Sequence, residues 1–257
     1  MKSITTSALW AAGVLLAVLG AWQLLTAVTG VISPARFPMP LEVAQAFVQI
    51  ATEGYSNGRL HQHVLTSVAL VTAGFALSSM VGVALGLAMG ASRTVEALVN
   101  PVFLLLRPVP PLAWIPLAIV WLGLGPAAKL MVIFVAAFVP AVINSQAGVQ
   151  QIDRPMFEAA AMLGVTGWRH WIEVLIPGAL PSIFTGLRLS LQASWTTLVA
   201  AELVGAVTGL GQILNQASQD IYPAMIVVGM VAVALCGWIM TMGLAWLERR
   251  AMPWKAA

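Results

Sequence analysis

The 257-residue sequence predicts an all-α membrane protein with about six transmembrane helices, and three observations predict it. Charged residues make up 8% of the chain and hydrophobic residues 60%, with a mean hydropathy of +0.92. A soluble domain carries about 25% charged residues to solvate its surface, so lipid must be part of the solvent here. Apolar stretches recur at about the 20 residues that a helix needs to cross hydrocarbon. No segment alternates with the period of two that a membrane barrel strand requires. The net charge of +3 is spread as single Lys and Arg residues between apolar runs, a pattern that argues against nucleic acid as a partner and reads as a topology signal.

The first apolar run, residues 8–28, is too long for the apolar core of a signal peptide, roughly 7–15 residues, and reads as a retained first helix. Residues 33–62 are too polar to span. After Pro34, Pro38 and Pro40 they repeat at helical spacing from Leu41 to Val48, as an amphipathic helix on the outer interface would. Residues 1–62 therefore form a first helix with a periplasmic segment, and 63–257 form the core.

The second span is expected at 64–90. Its Gly74, Ser78, Gly82, Gly86 and Gly90 recur every four residues, one stripe on which a second backbone can pack closely. The third, at 101–121, begins through Arg107-Pro108-Val109-Pro110-Pro111 and carries Pro116, so an irregular start and a kink are expected. Such backbone either lines a pathway or serves packing alone. The remaining spans are placed at 127–148, 181–205 and 223–247. Lys2, Arg93, Arg107, Arg154, Arg169, Arg249, Arg250 and Lys255 then fall on one side, with Arg188 toward it, against Arg36, Arg59 and Lys129 on the other. The asymmetry puts both termini in the cytoplasm.

The loop after the fourth span, about 152–177, holds the clearest local pattern. Asp153 and Pro155 suit a helix start, Glu158 suits the positive end of its dipole, and Gly164 suits a left-handed terminator. Thr166 then caps a second short arm bearing Trp168, Trp171, Ile172 and Leu175, which Pro177 is expected to stop. The result is a helix–turn–helix elbow. Ala160 and Gly164, four apart, give its first arm a bare face around which a partner's groove can close.

Glu158-Ala159-Ala160, Gly164 six residues after Glu158, and Val174-Leu175-Ile176-Pro177 resemble the EAA loop of permease subunits in binding-protein-dependent ABC importers. The family has Ile where Val174 stands and Leu where Ile176 stands. The resemblance covers roughly residues 38–255. Arg107 to Pro116, Pro177-Gly178-Ala179-Leu180-Pro181 and Thr197-Leu198-Val199-Ala200-Ala201-Glu202 are similar to the nitrate, sulfonate, taurine and bicarbonate branch, taurine-type permeases above all. The resemblance implies a type I importer fold in a bacterial inner membrane. Two ATPase subunits holding ATP and Mg would dock on Glu158, Ala159, Ala160, Gly164 and Pro177, a second copy of the permease would complete the pathway, and a periplasmic binding protein would deliver the solute. Independently, none of the three lysines follows a glycine, so the chain has no Gly-Lys-Ser/Thr phosphate loop and ATP chemistry falls to a partner.

Polar groups inside spans should face the bundle interior or a cavity. The fifth span offers Gln192, Ser194, Trp195, Thr197 and Glu202 as pathway or gate residues, with Ser194 and Thr197 near enough in phase to share a lumen. Glu202 is either part of an outer gate or a structural helix-end contact. Asn144, Ser145 and Gln146 either line an exit or form a solvated helix end. His61, His63 and His170 have no companions at ligand spacing, so no metal or other cofactor is expected on this chain, and the lone Cys236 has no disulfide partner. No Ser–His or Asp pair lies within the spans to suggest an enzyme, and no repeat between the halves suggests an ion-coupled transporter, the alternative class. Nitrate and bicarbonate stand behind taurine and other sulfonates as the solute.

Overall fold

The structure, a computed structural model, describes residues 10, 13–14, 17–28 and 37–256. Its elements are α1 (Ala17–Thr26, ending in a π turn, Leu24–Val28), α2 (Pro40–Thr52), α3 (Leu60–Ala91), α4 (Arg93–Leu106), a 3-10 turn (Pro111–Trp114) leading into α5 (Ile115–Leu122), α6 (Pro126–Gln150), α7 (Arg154–Met162), α8 (Trp168–Val204), α9 (Leu210–Gln219) and α10 (Pro223–Ala251). A last 3-10 turn covers Pro253–Ala256. There is no named strand among the described residues. α3, α6, α8 and α10 are each long and apolar enough to cross a membrane, and the bent pair α4–α5 makes a fifth span if counted as one. The first predicted span, 8–28, lies partly outside the described residues, as do Lys2, Pro34 and Arg36.

The core is a three-helix stack of α3, α6 and α8, with glycine at both contacts. A Cβ on Gly82 would lie 2.8 Å from Ala141 Cβ, and one on Gly90 would lie 2.7 Å from Val149 Cβ. Across the other contact, a Cβ on Gly186 would lie 2.7 Å from Asn144 Cβ, and one on Gly148 would lie 2.9 Å from Ser182 Cβ. Helices in lipid gain no hydrophobic free energy from associating, so this close approach, and the dispersion it allows, supplies the adhesion. The small-residue stripe therefore does what its spacing predicts. α2 lies against α10 through Ala46 and Ile50, which are fully buried, while Leu41, Phe47 and Val48 stay exposed.

Two expectations are corrected. The third span is not one helix over 101–121. Helix starts at Arg93 and passes through Pro101, the chain breaks after Leu106, and α5 leaves at 81°. Pro108, Pro110 and Pro111 cannot donate to the helix ladder, and each disfavours helical backbone in the residue before it, so the break falls there. Arg107 consequently sits at the break rather than in a loop, and Pro116 belongs to the first turn of α5 and kinks nothing. Secondly, Pro177 does not end the elbow's second arm. The helix runs unbroken from Trp168 to Val204, taking a π turn at Trp171–Leu175 just ahead of Pro177. A π turn relieves the clash that a proline ring makes with the carbonyl four residues back. α9 was not anticipated from the sequence.

Candidate functional site

The elbow is built by α7, a five-residue turn and the start of α8. Asp153 occupies the N-cap position without a side-chain cap bond, and Pro155 sits in the first turn. Glu158 falls one turn later than a dipole argument prefers, and it is exposed. The end of α7 is a complete Schellman turn: Val165 N–H donates to Ala160 O at 3.0 Å and Gly164 N–H to Ala161 O at 3.0 Å. This requires the left-handed backbone that Gly164 adopts, φ +73°. The second arm is capped by Gly167, not Thr166.

The arms are held together by Phe157 and His170, ring centroids 5.4 Å apart, and Arg169 donates to Glu173 at 2.9 Å. Ala160 is buried, so the expected bare face of Ala160 and Gly164 is only half present; Glu158, Ala159 and Ala161 point outward instead. Beside them Met162, Leu163 and Trp168 are 89%, 82% and 72% exposed. Pro177 lines a cleft of about 480 Å³ between Ile152, Pro181 and Trp254 at the root of the elbow.

α8 carries the predicted pathway residues on two different faces. Ser194, Trp195, Thr197 and Glu202 are buried in the chain's own core. Ser194 Oγ donates to Ser190 O at 2.8 Å, Ser190 Oγ to Ala137 O on α6 at 2.6 Å, and Trp195 packs its indole near Gly237 of α10. Gln192 is exposed, and Thr185, Arg188 and Thr196 share its face. In the fourth span, Asn144 Nδ2 donates to Pro140 O at 2.8 Å, Ser145 packs under Gly86, and Gln146 Nε2 donates to Glu96 at 2.9 Å.

The end of α8 away from the elbow forms a polar node. Glu202 is fully buried, accepts from Ser67 Oγ (3.0 and 3.1 Å to its two oxygens), and takes the Gly211 N–H at 2.8 Å in the first turn of α9. Ser67 Oγ in turn accepts from Leu210 N at 2.9 Å. One turn earlier on α3, buried His63 places Nδ1 3.0 Å from Gly209 N and 3.1 Å from Gly209 O, and its Nε2 lies 3.0 Å from Tyr55 O. Gly209, at φ +144°, is compulsory, since any Cβ there would strike the Glu202 carboxylate. A carboxylate on a helix N-terminus is favoured by both the free N–H groups and the dipole. Glu202 is thus a helix-end contact.

Beyond the node, Tyr55 donates to Asp220 Oδ2 at 2.6 Å and Tyr222 to Gln49 at 3.1 Å, joining the α2–α3 turn to the α9–α10 turn. Burial, then the Asp220 carboxylate, raises the Tyr55 phenol above its ordinary value. It keeps its proton at every physiological pH, and its contribution fades only as pH climbs past about 10, the unfolded phenol's range. Tyr55→Phe is expected to cost roughly 1 kcal/mol in thermal unfolding, because the lost bond is exposed.

A family model described as the binding-protein-dependent transport system inner membrane component matches residues 78–253, a stretch that holds the elbow and all of α8. The chain belongs to that family. The permease is 36% identical over 224 residues to the taurine transport system permease protein TauC of Escherichia coli (strain K12), covering 87% of this chain and 82% of TauC. It is 32% identical over 248 residues to the putative aliphatic sulfonates transport permease protein SsuC of Bacillus subtilis (strain 168), 96% of this chain and 88% of SsuC. A chain of the MetNI methionine ABC transporter, in an inward-facing crystal form, shares its fold with a TM-score of 0.62 at 21% identity, covering 75% of this chain and 95% of that one. The permease is a multi-pass membrane transport component of an ABC importer and not an enzyme, which removes the ion-coupled alternative.

Proposed function

We propose that this permease carries taurine or another small sulfonate from periplasm to cytoplasm by alternating access. A second identical copy completes the pathway, two ATPase subunits holding ATP and Mg dock on the elbows, and a periplasmic binding protein delivers the solute. The elbow and both termini then lie on the cytoplasmic side of a bacterial inner membrane.

The observation that carries this reading is the continuity of the elbow with α8. Its exposed Glu158 and Ala159, flanked by the apolar Met162, Leu163 and Trp168, offer a patch that water disfavours and a partner can cover. Because the second arm is the first turns of α8, a push on the elbow moves one rigid rod whose far end is bonded to α3 and α9 through Glu202. Closure of the ATPases is converted in this way into a tilt of the span that carries Gln192, and Glu202 supports the outer gate.

The test is ATP hydrolysis in nanodiscs after co-expression with the ATPase subunits. Binding protein loaded with taurine, an alkanesulfonate, nitrate or bicarbonate is added in turn. Stimulation is expected to be largest with a sulfonate. Gly164→Asp adds a carboxylate to the exposed docking face beside Glu158, in left-handed backbone that Asp tolerates better than most residues, so the new charge is the main insult to docking. That variant, and Glu158→Ala, are expected to lose stimulation while still inserting in the membrane. An ATPase that fails to copurify with the wild-type permease would refute the docking assignment, and stimulation by nitrate alone would move the solute.

A further inference from the structure

The exposed face of α8 is a row of polar side chains, Thr185, Arg188, Gln192 and Thr196, spaced three or four residues apart. On a helix these positions lie on one side, so a single strip of an apolar span presents three uncharged polar groups and a guanidinium. Lipid would make that strip costly, and polar groups at such depth face protein or a watery cavity. The threonines are satisfied locally: Thr185 Oγ1 donates to Pro181 O at 3.0 Å and Thr196 Oγ1 to Ala193 O at 3.1 Å. Arg188 and Gln192 are not. The Gln192 amide makes no hydrogen bond with the described residues.

Arg188 Nη2 donates to Glu248 Oε2 on α10, its sole hydrogen bond within the described residues, and the guanidinium side chain is 50% exposed against 13% for Glu248. The carboxylate is thus the more buried of the two, and the guanidinium has donors beyond the one it uses. Among the described residues of α3, α6, α8 and α10, Arg188 is also the one Lys or Arg more than a turn from a helix end; Lys129 is in the first turn of α6 and buried, and Arg107 lies at the α4–α5 break.

We infer that Arg188 is an anion-binding site on the pathway face of α8, anchored by Glu248 and completed by Gln192 one turn along, and that it takes the oxyanion head of the transported solute. This rests on the import of an anionic or zwitterionic solute set out above. A planar fork matches sulfonate, carboxylate and nitrate oxygens with two parallel N–H donors, which an ammonium cannot do. Glu248 holds the fork on the strip by one edge and leaves the other to the solute.

The competing role is a structural ion pair between α8 and α10, and the two roles predict different variants to fail. In proteoliposomes containing the permease and its ATPases, with taurine-loaded binding protein outside, uptake of radiolabelled taurine and ATP hydrolysis are measured separately. Arg188→Gln is expected to lower uptake about tenfold or more, the scale of a lost charged hydrogen-bond pair, while stimulated hydrolysis persists. Arg188→Lys should retain part of the uptake, and Glu248→Gln, which loosens the anchor but keeps the guanidinium, should lower uptake clearly less than Arg188→Gln does. Equal losses in Arg188→Gln and Glu248→Gln, restored by the exchange Arg188→Glu with Glu248→Arg, would overturn the inference in favour of the ion pair. Undiminished uptake in Arg188→Gln would overturn it outright. A wild-type complex that moves no anion with any loaded binding protein would instead sink the importer reading itself, so the two failures are distinguishable.

Discussion

Gly86→Leu is expected to leave almost no folded permease in the membrane. Gly86 lies where α3 and α6 come closest. A Cβ there would overlap the Val142 carbonyl oxygen and sit 2.7 Å from Ser145 Cβ and 3.1 Å from Gln146 N. Two of those three neighbours are backbone, which cannot rotate aside. The helices must therefore separate, and the contacts at Gly82 and Gly90 on the same stripe open with them. Overpacking of a core usually costs about 1–3 kcal/mol, sometimes more; a clash with backbone at the centre of a glycine stripe belongs above roughly 3 kcal/mol. Gly86→Ala should show an intermediate loss. Gly243 on α10 is the control, since a Cβ there meets nothing within 4 Å and Gly243→Leu should be tolerated. Monodispersity and thermal unfolding of the solubilised protein measure both. If Gly86→Leu melts with the wild type, the packing of α3 on α6 is not as described.

That stripe was visible in the sequence because its cause is local: small residues every four positions say where a backbone approaches, though not which. Gly164 was equally legible, since a left-handed helix terminator is a one-residue requirement. The irregular backbone at Pro108, Pro110 and Pro111 was legible from their missing N–H groups, but the helix on its N-terminal side, from Arg93, and the 81° bend were not, because hydropathy sums side chains and carries no direction. The signal for α9 was present in Leu210, Ile213, Leu214 and Ala217 following a glycine, an i, i+3, i+4, i+7 face on a helix too short and polar to read as a span.

The exposed polar face of α8 was harder. Ser194 and Thr197 share a phase, but so do Thr185, Arg188, Gln192 and Thr196, and periodicity alone cannot say which of two polar faces α6 covers. The partners of Glu202 were the least legible, as Ser67 lies 135 residues away in sequence. His63 and Ser67 at i, i+4 gave the only hint, and only once their helix was known to end against α9.

Glu202→Ala is expected to be the second most damaging change, because it removes one side chain and orphans two groups. Gly211 N–H and the Ser67 hydroxyl lose their acceptor in a fully buried place. Each buried polar group left without its partner typically costs about 1–3 kcal/mol, so roughly 2–6 kcal/mol is expected. Two comparisons separate the causes. Glu202→Gln keeps the shape and one acceptor, so about 1 kcal/mol is expected from the mismatch at Ser67. Glu202→Ala combined with Lys129→Met tests whether the two residues are coupled: thermal unfolding of the four proteins shows a non-additive loss if they are and additive losses if they are not. Uptake then tests the gate. If Glu202 supports an outer gate that opens and closes each cycle, Glu202→Gln lowers uptake by more than it lowers the amount of folded protein, since the mismatch is met at every closure. Uptake and protein level both at wild type would take Glu202 out of the gate and leave it as the pin that holds α9 to the end of α8.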